Sequence, residues 1–248
     1  MSKRTKMTNI KEVGALIFAA LLALLLTRAA SGQALAIQPA PAESAVTLGK
    51  YFASLQERNP FTEAGPVLVE IDAALPDISK TATLVAIRET VDDERSTYRM
   101  ESLAGDSTVK SQVIARYMQA QQQAEDLPYS SVAVTPANYK FRYAGTAQPH
   151  GKSVYVFQIT PRKKRVGLIR GEICIDPGTG IAIHESGRFV KRPSVFIRRI
   201  EVDRNTHLDG GVPSERVTRL AIDVRMVGRA ELTVTERPVE TVALTSAE

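Results

Sequence analysis

From about residue 135 to residue 236 the chain repeats one pattern: short runs alternating apolar and polar side chains, each closed by a turn-forming stretch. The runs are YKFRYAG, SVYVFQITP, GLIRGEICID, GIAIHESGRFV, SVFIRRIEVD, ERVTRLAIDVRMV and RAELTVTE. Between them stand TAQPHGK, PRKKR, PGTG, KRP, NTHLDGGVP and VG. A period of two, with Gly, Pro, Asn and Asp at the breaks, reads as strands and turns. Seven strands in about 100 residues leave connections too short for parallel crossovers, which need roughly a dozen residues each. The series is therefore an antiparallel meander.

The alternation also assigns faces. Tyr155, Phe157 and Ile159 share one phase, with Val154 and Val156 on the other. Ile173 and Ile175 flank Cys174, and the turn Pro177-Gly178-Thr179-Gly180 returns the chain through Ile181, Ile183 and Phe189. Phe196, Ile200 and Val202 share a phase with Arg198. Both faces are thus partly apolar, as expected when helices cover one and the other curves around something.

Before the meander the period varies. In SAVTLGKYFASLQE, Val46, Tyr51, Phe52 and Leu55 fall largely on one helical face and Ser44 offers an N-cap, so a helix is predicted that ends before Pro60. AGPVLVEIDAALPDI fits a short helix from near Pro66 through Leu68, Ile71, Ala74 and Leu75. KTATLVAIRET and RSTYRMESLAG pair as a hairpin around VDDE. GDSTVKSQVIARYMQAQQQAE is the clearest helix, capped by Asp106 or Ser107, with Val109, Val113, Ile114, Tyr117 and Ala120 at helical spacing. Its polar face is rich in Gln and not strongly basic, which suits a lid packed on a sheet better than a membrane-surface helix.

The hairpin raises the count to about nine strands, near the number at which an open twisted sheet curls. The fold class is α+β: a curved antiparallel sheet, or half-open β-barrel, with a helical lid. At 44 % apolar residues with no Trp, branched aliphatic side chains supply the core.

The N-terminus has the three parts of an export signal: a basic head (Lys3, Arg4, Lys6, Lys11), the apolar run Val13 to Leu26, and Ala34-Leu35-Ala36 as a cleavage site. A retained membrane anchor is the alternative, but the run has 14 residues, short of a hydrocarbon core roughly 30 Å thick. No cysteine follows the run to take a lipid. Residues 1–36 are read as signal peptide, 37–43 as linker, 44–240 as a single domain and 241–248 as a flexible tail, with a periplasmic location or inner-membrane anchoring to match. The leader carries five basic groups and one acid, leaving 27 basic and 26 acidic groups, so the formal charge of +5 falls to +1. A nucleic-acid partner is not indicated. PRKKR, Pro161 to Arg165, reads as a solvated hairpin loop, with contact to anionic headgroups as the sharper alternative.

Enzyme motifs fail on spacing. GTAQPHGKS has five residues between Gly145 and Gly151 where a phosphate loop needs about four, and a strand follows it. His150, His184 and His207 fall one to a segment without metal-ligand spacing. Asp92, Asp93, Glu94, Asp203 and Asp209 cluster at turns. Cys174 has no intramolecular partner and suits a small buried role. The expectation is a protein that is not an enzyme and uses no metal or cofactor.

The rhythm of an aromatic strand at Tyr155 to Ile159, a basic turn at Pro161 to Arg165, the strand and Asp-Pro-Gly-Thr-Gly turn from Ile173 to Gly180, and Gly210 to Pro213 leading into later strands resembles the outer-membrane lipoprotein-sorting proteins, the lipoprotein-carrier superfamily. The resemblance covers roughly residues 135 to 236 and consists of strand and turn chemistry. It implies a half-barrel whose apolar side shelters acyl chains of a lipid or acylated lipoprotein, with an inner- or outer-membrane receptor as a further partner. On that reading Tyr155, Phe157, Ile159, Ile173, Ile175, Phe196, Ile200, Val113 and Tyr117 line the ligand groove. Each buried methylene contributes about 0.8 kcal/mol, so a dry groove can hold a chain that water rejects.

Overall fold

The structure, a computed structural model, describes residues 41–55, 61, 65–92, 95–192, 195, 197–225 and 228–239. The leader, its cleavage site, the C-terminal tail and Phe196 lie outside the described residues.

Helix α1 (Ala42–Ser54) comes first. It begins inside the stretch read as linker, after Pro41, and the Ser44 hydroxyl donates to the Pro41 carbonyl at 2.8 Å. The residues it buries are Ser44, Thr47 and Tyr51, whereas Val46 is exposed.

The segment expected to be a second helix is a strand, β1 (Val67–Leu75). Val67, Val69, Ile71, Ala73 and Leu75 are all buried and the residues between them are not. Nine residues with apolar groups at both spacings satisfy either period locally. Two neighbouring strands decide between them: β2 (Lys80–Asp92) pairs along one edge of β1 and β10 (Gly228–Pro238) along the other.

β3 (Arg95–Gly105) completes the expected hairpin with β2. The helical segment follows as α2 (Ser107–Val109), a π-turn (Lys110–Ile114) and α3 (Ala115–Glu125) without a break. Asp106 caps it, its carboxylate accepting from the amides of Thr108 at 2.8 Å and Val109 at 3.2 Å. A short helix α4 (Tyr129–Val132) then leads to the meander: β4 (Tyr139–Ala147), β5 (Val154–Pro161), β6 (Ile169–Ile175), β7 (Ala182–Phe189), β8 (Ile197–Asp209) and β9 (Val212–Val224) before β10.

The strands form a single open, curved antiparallel sheet of ten in the order β3-β2-β1-β10-β9-β8-β7-β6-β5-β4. β1 is the addition to the expected nine. Pairing of β1 with β10 makes β3 and β4 the two edges. Edges of ten strands spaced about 4.8 Å apart are roughly 40 Å from each other if flat, so the chain from Gly105 to Tyr139 must travel from one edge to the other. Its helices pack on the face that carries the β1 apolar series. This is the inner face. The opposite face carries exposed ion pairs such as Arg229 with Glu231 and Arg237 with Glu70, the division expected of an antiparallel sheet with one wet side.

Bulges bend the strands, as between Tyr143 and Gly145 in β4 and between Cys174 and Ile175 in β6. Gly171 and Gly187 face each other across β6 and β7. A Cβ on Gly171 would lie 1.8 Å from the Ser186 carbonyl oxygen, and one on Gly187 would lie 2.5 Å from that of Arg170. Only a pair without side chains permits this approach.

Candidate functional site

The inner face has three zones. Over β1, β2 and β10, the side chains of Val109, Val113 and Ile114 pack on Ile71, Leu84 and Leu232. Tyr117 and Met118 extend the contact along α3. The Tyr117 hydroxyl accepts from Gln121 Nε2 at 2.9 Å, and burial raises its pKa, with the Glu236 charge adding to the effect. Lys80 reaches the capping carboxylate of Asp106 at 3.1 Å, and this contact holds that carboxyl below its ordinary value.

The second zone lies over β4, β5 and β6. Phe157, Ile159, Ile173 and Ile175 are buried together with Tyr51, Tyr139 and Leu168, and Leu48, Phe52 and Leu55 of the α1 segment pack against them. Phe52 meets Phe141 edge-on with ring centroids 5.1 Å apart. The Tyr139 hydroxyl, inside this cluster, accepts from the Ile169 amide at 3.1 Å. Two polar contacts hold α1 down: the Tyr155 hydroxyl donates to Glu43 at 2.9 Å, and Lys50 donates to the Pro177 carbonyl at 2.8 Å. That carbonyl belongs to the turn read from the sequence, which Asp176 organises by accepting from the Thr179 amide at 2.7 Å.

The expected lining residues therefore separate. Tyr155, Phe157, Ile159, Ile173 and Ile175 gather under α1, while Val113 and Tyr117 belong to the cluster under α2 and α3. Ile200 is half-buried on β8 opposite Ile222. Phe196 lies outside the described residues.

Between the two zones, β7, β8, β9 and β10 present charged groups to the same face. Register places Glu185 opposite Arg204, Arg204 opposite Thr218, Thr206 opposite Arg216, and Arg216 opposite Glu236. Arg204 Nη1 donates to Glu185 at 2.9 Å and its Nε to Thr218 Oγ1 at 3.2 Å. Arg88 of β2 donates to Glu236 at 2.5 Å. Arg216 stands 3.9 Å from Glu236, beyond hydrogen-bond reach, and its buried Nε has no hydrogen-bond partner among the described residues. The Phe61 ring lies 4.2 Å from the Arg216 guanidinium carbon. Burial, with Arg204 and Arg88 nearby, pushes the Arg216 pKa down to about 10 against the pull of Glu236 and Glu185. Arg204 keeps 41 % of its side chain accessible although Glu185, Glu236 and Tyr117 all act on its charge. Burial acts most strongly on its charge, and the group belongs to a polar strip, a trough, between the two apolar zones.

Nothing in the sequence reading singled out this centre. The available signal was phase: Arg88 alternates with Leu84 and Ala86, and Arg204 with Ile200 and Val202, so each charge sits where an apolar residue is due. Arg198 does not follow that phase, because a bulge between Ile197 and Arg199 leaves it exposed.

No family model matches this chain. No curated protein matches it either. Among solved structures, a DUF1329 family protein from Desulfovibrio piger is 8 % identical with a TM-score of 0.42, covering 77 % of this chain and 90 % of that one. MucB is 12 % identical with a TM-score of 0.26, covering 81 % and 94 %. The MucA/MucB complex of Pseudomonas aeruginosa gives 12 % and 0.25, covering 76 % and 93 %. Scores of this size carry no argument, and the fold rests on the strand pairing given above.

Elsewhere, Cys174 is buried, and burial with the Glu172 charge pushes its thiol up to about 11. His184 pairs with Asn205 at 2.9 Å. Among the described residues no three His, Cys, Asp or Glu side chains converge as metal ligands would, and no helix is long and apolar enough to cross a membrane.

Proposed function

We propose that this chain is an exported, non-catalytic carrier that takes up the acyl chains of a lipid or acylated lipoprotein between its sheet and its helices. The observation that carries the proposal is the division of one sheet face into two apolar zones, each under its own helix, with a polar trough between them. An amphipathic ligand needs both kinds of surface in continuity, and Leu220, which packs against both clusters, joins them at the trough. In this reading α2 and α3 form the lid. They lie on a crossing link held to the sheet by a few apolar side chains, so lifting them opens a groove without breaking a strand pair. The N-terminal leader supports a periplasmic site of action, with a membrane receptor loading or unloading the cargo.

Native mass spectrometry with lipid extraction, on protein purified from the envelope of an expressing bacterium, tests the proposal. A stoichiometric lipid or acylated peptide is expected. A clean apo mass, together with no uptake of a fluorescent acyl probe, would replace the carrier with a non-catalytic scaffold.

A further inference from the structure

The charged trough is unbalanced. Among the described residues, Arg88, Arg204 and Arg216 bring three positive charges to it, while Glu185 and Glu236 bring two negative ones. Each carboxylate has a close partner, Glu236 with Arg88 at 2.5 Å and Glu185 with Arg204 at 2.9 Å. Among the described residues the surplus cation is Arg216, whose approach to a carboxylate stops at 3.9 Å and whose Nε donor finds no acceptor. A guanidinium whose Nε has lost water without gaining an acceptor among the described residues is costly.

We infer that Arg216, with Arg204 beside it, is the subsite for the single negative charge of an anionic lipid headgroup. This rests on the carrier reading and adds its ligand class. On adjacent strands the two arginines are diagonal neighbours facing the same side, since Arg204 pairs with Thr218 and Arg216 with Thr206. A phosphodiester oxygen between them receives charge-assisted hydrogen bonds from two planar donors, the geometry at which arginine surpasses lysine. Arg204 keeps 41 % of its side chain accessible and Arg216 21 %, and both Glu185 and Arg216 act on the hydroxyl of Tyr129, whose ring is exposed. The acyl chains would leave this point on either side of Leu220, into the zones of Leu232 and of Ile173. A zwitterionic headgroup brings an additional cation to a trough that already holds one too many.

The test is equilibrium binding of pyrene-labelled phosphatidylglycerol and phosphatidylcholine with identical chains to the purified protein, with inorganic phosphate as competitor. Phosphatidylglycerol is expected to bind about tenfold more tightly, the scale of one charge-assisted hydrogen bond. Arg216→Gln removes that preference by weakening phosphatidylglycerol binding more than phosphatidylcholine binding, whereas Arg216→Lys retains part of it. Glu185→Gln, which frees Arg204, strengthens phosphatidylglycerol binding and serves as the second variant should Arg216→Gln fail to fold by circular dichroism. Equal binding of the two lipids, unchanged in both variants, overturns the headgroup site and leaves the carrier standing. Failure of both lipids to bind removes the carrier as well. Displacement of phosphatidylglycerol by inorganic phosphate at similar affinity makes the ligand a free anion and overturns its lipid origin.

Discussion

Arg88 and Glu236, 148 positions apart in the chain, meet at 2.5 Å across the width of β1. Their strands flank β1, where Val67 pairs with Arg88 and Val69 with Glu236. Both side chains are mostly buried, at 13 % and 11 % accessible. Burial lowers the Arg88 pKa, but the Glu236 charge and the contact with Tyr98 more than offset it, and the net shift is upward. The pair therefore fastens the first hairpin to the last strand. Glu236→Ala leaves two arginines without their carboxylate and should cost about 3–5 kcal/mol in urea unfolding. A loss below about 1 kcal/mol would show that water compensates the pair.

The glycine pair makes a sharper steric prediction. Gly187→Ala places a Cβ 2.5 Å from the Arg170 carbonyl oxygen, and overpacking of this kind costs about 1–3 kcal/mol. Gly49→Ala in α1 has nothing within 4 Å of the new methyl, and should stabilise by about 0.5–1 kcal/mol through helix propensity. Thermal melts of the two variants should move in opposite directions.

Cys174 supplies a pH dependence. Its folded pKa lies near 11 against an ordinary value of 9.0, so the fold favours the neutral thiol. That stability is fully present below pH 9 and is lost as pH rises toward 11. Comparing wild type with Cys174→Ala across this window isolates the slope from the tyrosines: the stability difference should be constant around pH 7 and shift against wild type as pH rises from 9 toward 11. The folded thiol should also resist a disulfide reagent at pH 8 and react only after denaturation.

The lid assignment separates two kinds of core mutation. Val113→Ala loosens the helix over the first cluster, and Ile173→Ala hollows the second. Both side chains are buried, and the losses should be about 1–2 and 2–4 kcal/mol respectively. Only Val113→Ala should speed uptake of a fluorescent acyl probe in stopped flow. Equal acceleration by both would mean that general loosening, and not a lid, admits the probe.

The meander was legible because its signals are local. A period of two, broken by Pro177-Gly178 or Gly210-Gly211, describes the same strands in any context. Asp106 two residues before Thr108 is likewise a cap by chemistry alone. Val67 to Leu75 failed the same reading because both periods fit its apolar residues, and strand or helix followed from whether partners lay alongside. The trough was missed for a related reason. Phase puts Arg88 and Arg204 where apolar residues are due, but does not say what they meet there.

The sequence by itself determined the strands of the meander, the hairpin of β2 and β3, their turns and the capped helix, since these depend on neighbours within a few residues. The tertiary structure alone decided that β1 joins β10, that the helical link crosses from edge to edge, and that five charges from five strands share one trough. Those depend on contacts between positions more than a hundred residues apart, such as Arg88 with Glu236, which no local pattern encodes and only the closure of the sheet enforces.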